Sequence, residues 1–221
     1  MLHKEHIKIY INRILLLLKS LKFIAKIPLF FMYLVVPLIS LCGYIFKVPY
    51  EELVKNIEDL TLSFYPFFSC WWMIFAARNY WDGSGSEILF VNRNKTKAVD
   101  FICLFFLMIL NIMVSSLVFF ILIDGFEKTF LRIFFISVFY FGVSYFFIVV
   151  LKSMSSSLMF LCIFTMSSKT DAFKEKLICL LNLMSEKNAI LDVEPFLFCI
   201  GLVLFGLGLV LVKNKKSYTN D

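Results

Sequence analysis

Five stretches of this chain, residues 27–46, 60–77, 98–123, 133–151 and 195–212, are almost continuous apolar sequence. A helix that crosses the roughly 30 Å hydrocarbon layer of a bilayer needs about 20 such residues. No water reaches that layer, so backbone N–H and C=O groups must pair within a helix or around a closed barrel. The runs do not alternate apolar with polar residues as barrel strands would. An all-α polytopic membrane protein is therefore expected. The remaining sequence leaves little room for another class: 61% of the 221 residues are hydrophobic and 17% charged, with mean hydropathy +0.87. That is too little charge to cover a soluble domain of this size.

A sixth stretch, 153–168, is shorter and rich in Ser. Parity argues for counting it. Lys4, Lys8, Arg13, Lys19, Lys22 and Lys26 lie before the first run, and Lys213, Lys215 and Lys216 follow the last. An odd number of crossings would put these two basic ends on opposite sides, against the tendency of Lys and Arg to stay in the cytoplasm. With six crossings, Arg78, Arg93, Lys95, Lys97 and Lys152 join both ends on one side. Glu51, Glu52, Glu58, Asp59, Asp124 and Glu127 fall on the other. Six transmembrane helices with both termini cytoplasmic, in the cell membrane, is the expectation.

Residues 1–26 form a separate segment. Ile7, Ile11, Ile14, Leu18 and Leu21 recur at helical spacing, with Lys8, Asn12, Lys19, Lys22 and Lys26 on a neighbouring stripe. Such a helix suits the inner headgroup region, its apolar face in lipid and its lysines at the phosphates. Lys19, Lys22 and Lys26 interrupt the apolar core that a signal peptide would need.

The chemistry of catalysis is sparse. His3 and His6 are the only histidines, and both precede the first run. A histidine-based intramembrane hydrolase or metalloprotease is thereby disfavoured. The six cysteines, Cys42, Cys70, Cys103, Cys162, Cys179 and Cys199, form no Cys-x-x-Cys pair. Most lie in apolar runs, where Cys acts as a small hydrophobe. The Gly83-Ser84-Gly85-Ser86 turn is followed by Glu87 and Ile88 rather than the Gly-Lys-Ser/Thr of a phosphate loop. Asp100, Arg132 and Glu194 lie at the edges of runs, not at their centres, so an ion-coupled pump is disfavoured. Asn111, Ser115 and Ser116 in the third run, with Tyr140, Ser144 and Tyr145 in the fourth, are the main interior polar positions. They are read either as helix-to-helix hydrogen bonds or as a substrate path.

Two connecting segments carry pattern of their own. In 78–97, a Gly and Ser turn precedes Glu87, Ile88, Leu89, Phe90 and Val91, and then a basic cluster. Trp81 and these apolar residues are unusual in a connector that meets only water. In 169–194, Phe173, Leu177, Leu180, Leu181 and Met184 stand between charges, as in an amphipathic segment at the outer leaflet.

This order of parts resembles the ABC-2 type transporter permeases, the membrane half of export-type ATP-binding cassette systems. Gly83, Gly85, Glu87, Ile88, Leu89, Arg93 and Lys97 stand where that family has its Gly-x-x-Glu-x-Leu, Arg and Lys positions. The resemblance implies an amphipathic helix over 1–26, a six-helix domain over 27–212 and a basic tail over 213–221. It also implies a coupling loop at 78–97, whose Gly85, Glu87, Ile88, Leu89, Phe90 and Arg93 dock onto a separate ATPase, and an outer re-entrant loop at 169–194. ATP and Mg would sit on that partner, and no cofactor on this chain. The other expected partners are a second permease, identical or related, and membrane lipid, with no nucleic acid. The implied function is export of an amphipathic or hydrophobic substrate such as a peptide, lipid-like molecule or drug. The alternative is a non-transporting immunity or assembly factor that binds a partner protein. A membrane-embedded enzyme ranks third, since histidine and acid pairs are missing from the runs.

Overall fold

A computed structural model describes residues 15, 18–19, 22–81, 94–167 and 193–214, with backbone alone at 22, 78–81, 94–97, 167, 193 and 213–214. Every regular element among them is helical. The first helix, α1, begins as a 3-10 turn at Lys22–Lys26, continues over Ile27–Phe30, widens to a π turn at Phe31–Val35 and closes as Val36–Ile45. Then follow α2 (Tyr50–Ser69), α3 (Trp71–Trp81), α4 (Asn94–Leu122), α5 (Phe126–Leu151), α6 (Met154–Ser167) and α7 (Val193–Asn214).

Among the described residues, five segments are long and apolar enough to cross a bilayer: Phe23–Ile45, Tyr50–Ala77, Ala98–Leu122, Phe126–Leu151 and Glu194–Val212. All five apolar runs thus appear as helices. The second and fourth begin well before their runs. Helix α2 starts directly after Pro49, with Glu51 and Glu52 in its first turn, where carboxylates favour the positive end of the helix. Helix α5 starts after Gly125, whose φ of 78° is left-handed and turns the chain tightly out of α4. An apolar run marks only the part of a helix that needs lipid or core, and charged turns extend beyond it.

The sixth stretch is also a helix, α6, but at 14 residues it is about 21 Å long, shorter than the hydrocarbon layer. The segments expected at 1–14, 82–93, 168–192 and 215–221 lie outside the described residues. They hold most of the amino-terminal helix, the central part of the 78–97 loop, nearly all of the 169–194 loop and most of the basic tail.

Helix α5 is the centre of the bundle. It packs on α2, α3, α4, α6 and α7, and every residue from Ser137 to Tyr145 is buried. Two-thirds of its apolar window (67%) is buried, against 22% for α1 and 17% for α7, which places those two at the periphery.

Ring contacts and glycines fix the directions. Helix α6 runs antiparallel to α5: the Phe160 ring lies 4.7 Å from that of Phe147 and the Phe164 ring 5.5 Å from that of Phe139. Helix α7 runs parallel to α5, because Phe198 meets Phe135, Gly201 meets Phe139 and Gly142, and Phe205 meets Tyr145 in ascending order on both. A Cβ on Gly201 would sit 2.6 Å from the Cα of Phe139, so glycine is what lets these two backbones touch. Parallel α5 and α7 both finish at the end of the bundle that holds Lys22–Lys26, and the chain between them returns to the opposite end.

Candidate functional site

The interior polar groups are organised by two prolines of α1. Proline has no N–H, so it leaves a carbonyl one turn earlier without its helical donor. Pro28 would have served Ile24 in an α-helix or Ala25 in a 3-10 turn, and the chain here passes from one form to the other. Two adjacent indoles of α3 donate to these two carbonyls, of which Ala25 is the one that Pro28 leaves without a backbone donor. Trp71 Nε1–H donates to the Ile24 carbonyl at 3.1 Å, and Trp72 Nε1–H donates to the Ala25 carbonyl at 2.8 Å. An indole nitrogen can only donate, so it matches a bare carbonyl without needing a second partner.

Pro37 repeats the arrangement half-way along α1. In the π turn before it, Val36 N–H reaches back to Phe31, not to Met32. The next possible donor to Met32 is Pro37, which has none. Tyr65 of α2 places its hydroxyl 3.2 Å from the Met32 carbonyl and 3.3 Å from that of Ser115 on α4. Beside it, the Tyr33 hydroxyl donates to Asn111 Oδ1 at 2.9 Å, and Asn111 Nδ2–H donates to the Met32 sulfur at 3.1 Å. Helices α1, α2 and α4 are thus tied by one seam of neutral hydrogen bonds. Phe31, stacked on Phe68 at 4.7 Å, packs alongside it.

Of the six interior polar positions singled out from sequence, Asn111 and Ser115 lie together in this seam, both buried. Tyr140 and Ser144 instead face α6: the Tyr140 and Thr165 hydroxyls are 3.1 Å apart, and Ser157 Oγ donates to the Ser144 carbonyl at 3.2 Å. The structure therefore divides these four into two pairs. The side chains of Asn111 and Tyr140 make the helix-to-helix hydrogen bonds that were one of the two sequence readings. Ser115 Oγ instead donates to Ile112 within α4, and Ser115 and Ser144 accept from neighbouring helices only through their carbonyls. The hydroxyls of Ser137, Ser144 and Tyr145 on α5, and of Ser116 on α4, are buried without a hydrogen-bond partner among the described residues. The six coupling positions Gly85, Glu87, Ile88, Leu89, Phe90 and Arg93 lie outside the described residues.

Sequence reading missed Tyr33, Met32, Tyr65, Trp71 and Trp72. The signal was present: a proline inside an apolar run announces an orphaned carbonyl, and an apolar helix with Tyr or adjacent Trp can answer it. It also missed how the opposite end closes. There the Thr129 hydroxyl donates to the Glu58 carboxylate, and Arg132 pairs with Glu194 at 3.1 Å across α5 and α7. Asp100, at an edge in sequence, is buried in the opening turns of α4.

The chain matches no family model, no curated protein and no solved structure.

Proposed function

We propose that this chain is the membrane-spanning permease subunit of an ATP-binding cassette exporter, with six crossings, both termini cytoplasmic and separate ATPase subunits as the motor. The observation that carries the reading is the double tryptophan clasp. It fastens Lys22–Lys26 to α3, and α3 runs straight into the 78–97 loop. A push received by that loop would move the amino-terminal segment and the second crossing as one body, which rigid-body coupling requires. Helix direction supports the count of six. With α5 and α7 parallel, the chain crosses once more between them, and α6 already points that way along α5. Charge supports the orientation, since Lys19, Lys26 and Lys152 lie at one end and Glu51, Glu52, Glu58 and Asp59 at the other. The buried hydroxyls of Ser137 and Tyr145 have unused hydrogen-bonding capacity inside the bundle, as a path for an amphipathic cargo would need. Asn111, Ser115, Tyr140 and Ser144 are proposed to border that path.

The test is purification in mild detergent from cells that also express the ATPases of the source organism. A co-purifying ATPase whose association drops at least fivefold with Glu87→Ala and Leu89→Ala supports the assignment. A chain that recovers no ATPase overturns it in favour of the immunity or assembly reading. If association is unaffected by both substitutions, the docking loop is elsewhere.

A further inference from the structure

At the end of the bundle where α1 begins, Leu18, Lys19, Phe23, Ala25, Lys26, Leu29 and Trp72 enclose an open groove of about 480 Å³. Its walls are almost wholly hydrocarbon. The Trp72 indole N–H is already committed to Ala25, so the ring offers the groove only its apolar surface. Lys19 and Lys26, both exposed, are its two charged lining residues, and among the described residues no acidic side chain lines it. Leu29 and Phe23, at 42% and 75% exposure, extend the apolar wall outward in the direction of the α1 face that carries Tyr33 and Leu34.

An apolar slot leading away from two cations, at the mouth of a helix long enough to cross a bilayer, has the complementarity of one molecule. We propose that it binds a single anionic phospholipid, with its phosphate between Lys19 and Lys26 and one acyl chain along Leu18, Phe23 and Leu29. A soluble phosphate would use the two lysines but leave the hydrocarbon walls unfilled. A zwitterionic lipid would fill the walls but bring its own cation to the lysines. The Trp72 clasp holds the groove's two sides together, so the lipid would brace the same junction that joins the amino-terminal segment to α3. The inference needs the chain to reside in a bilayer and does not depend on the permease assignment.

Native mass spectrometry of the full chain in detergent tests it, with phosphatidylglycerol and phosphatidylcholine of identical acyl chains as probes. Expected is one tightly held phosphatidylglycerol, preferred over phosphatidylcholine by about tenfold or more, as two lysines near an anionic headgroup provide. Lys19→Gln with Lys26→Gln should abolish the preference, while Lys19→Arg with Lys26→Arg keeps it and shows that the fold tolerates change there. Lys4→Gln with Lys8→Gln removes the same charge from the same segment and should leave the preference intact. Inorganic phosphate at millimolar concentration should not displace the lipid. Equal binding of the two lipids overturns the proposal. So does loss of preference with Lys4→Gln/Lys8→Gln, which would indicate general surface charge, or displacement by phosphate.

Discussion

At the residue scale, the α1 prolines act through the donors they lack. Each leaves a carbonyl that must be paired inside an apolar bundle, and each is answered by an aromatic donor from the second crossing. An unpaired buried carbonyl costs about 1–3 kcal/mol, while a measured interhelical hydrogen bond in a membrane averages about 0.6 kcal/mol. Tyr65→Phe is accordingly expected to lower stability by about 1 kcal/mol in an SDS-unfolding titration. The more discriminating measurement is the same change in a Pro37→Ala background. Alanine restores an N–H at position 37, so Met32 no longer depends on Tyr65 and the cost of Tyr65→Phe should fall by at least about half. Strict additivity of the two changes would show that the hydroxyl answers something other than the proline. The clasp makes a parallel prediction. Replacing Trp71 and Trp72 together by Phe keeps a smaller aromatic ring at each place and removes both donors, and amide exchange over residues 22–30 should rise by about tenfold, the equivalent of about 1.4 kcal/mol. Unchanged exchange there would mean that the 3-10 turn is held by packing alone.

At the scale of elements, the apolar runs were legible because lipid demands them. Each of the five became a helix, and the weak sixth became α6. What could not be read were the ends. Tyr50 begins α2 inside an acidic stretch because a helix projecting past the hydrocarbon no longer needs apolar residues. The π turn at Phe31–Val35 was hidden for a different reason: it arises from a proline and its neighbours in three dimensions, not from hydrophobic periodicity. Of the candidate path, Asn111 and Ser115 could be picked out as rare polar residues in an apolar run. Their partners Tyr33 and Tyr65 looked like ordinary aromatics. Glycine positions were equally silent, yet α5 and α7 meet at Gly142 and Gly201 with no room for a Cβ. A graded series follows. Gly201→Ala should destabilise by about 1–3 kcal/mol, because its methyl would press on backbone. Gly208→Ala should cost less, since the atoms it meets belong to the Tyr145 ring, 2.7 Å away, which can shift. Gly206→Ala, with open space around it, should be neutral or slightly stabilising through helix propensity. SDS titration of the three variants ranks them, and a different order would mean that the α5–α7 contact does not limit stability.

At the scale of the whole molecule, two independent lines bear on how the chain sits in a membrane. Charge counting uses only the sequence: the basic residues gather before the first run, between the second and third, and after the last. Helix direction uses only packing: α5 and α7 ascend together, so the intervening chain descends. The two share no residues in their reasoning, since the first rests on connecting segments and the second on buried rings and glycines. Both fit the proposed even parity. Helix α6 is about 21 Å long, shorter than the hydrocarbon layer, so a sixth crossing as proposed would need more chain than α6 or local thinning of the bilayer. Single cysteines in a chain cleared of its native ones give the test. Asp124→Cys and Ser185→Cys should react with a membrane-impermeant maleimide added outside intact cells. Ser217→Cys should react only after permeabilisation. If Ser185→Cys instead labels with Ser217→Cys, the return crossing is not made before residue 185, and the antiparallel course of α6 ends within the membrane. If Asp124→Cys and Ser217→Cys both label from outside, the parity is wrong although the 78–97 loop stays cytoplasmic; if both label only after permeabilisation, the loop also lies on the side where no ATPase could reach it.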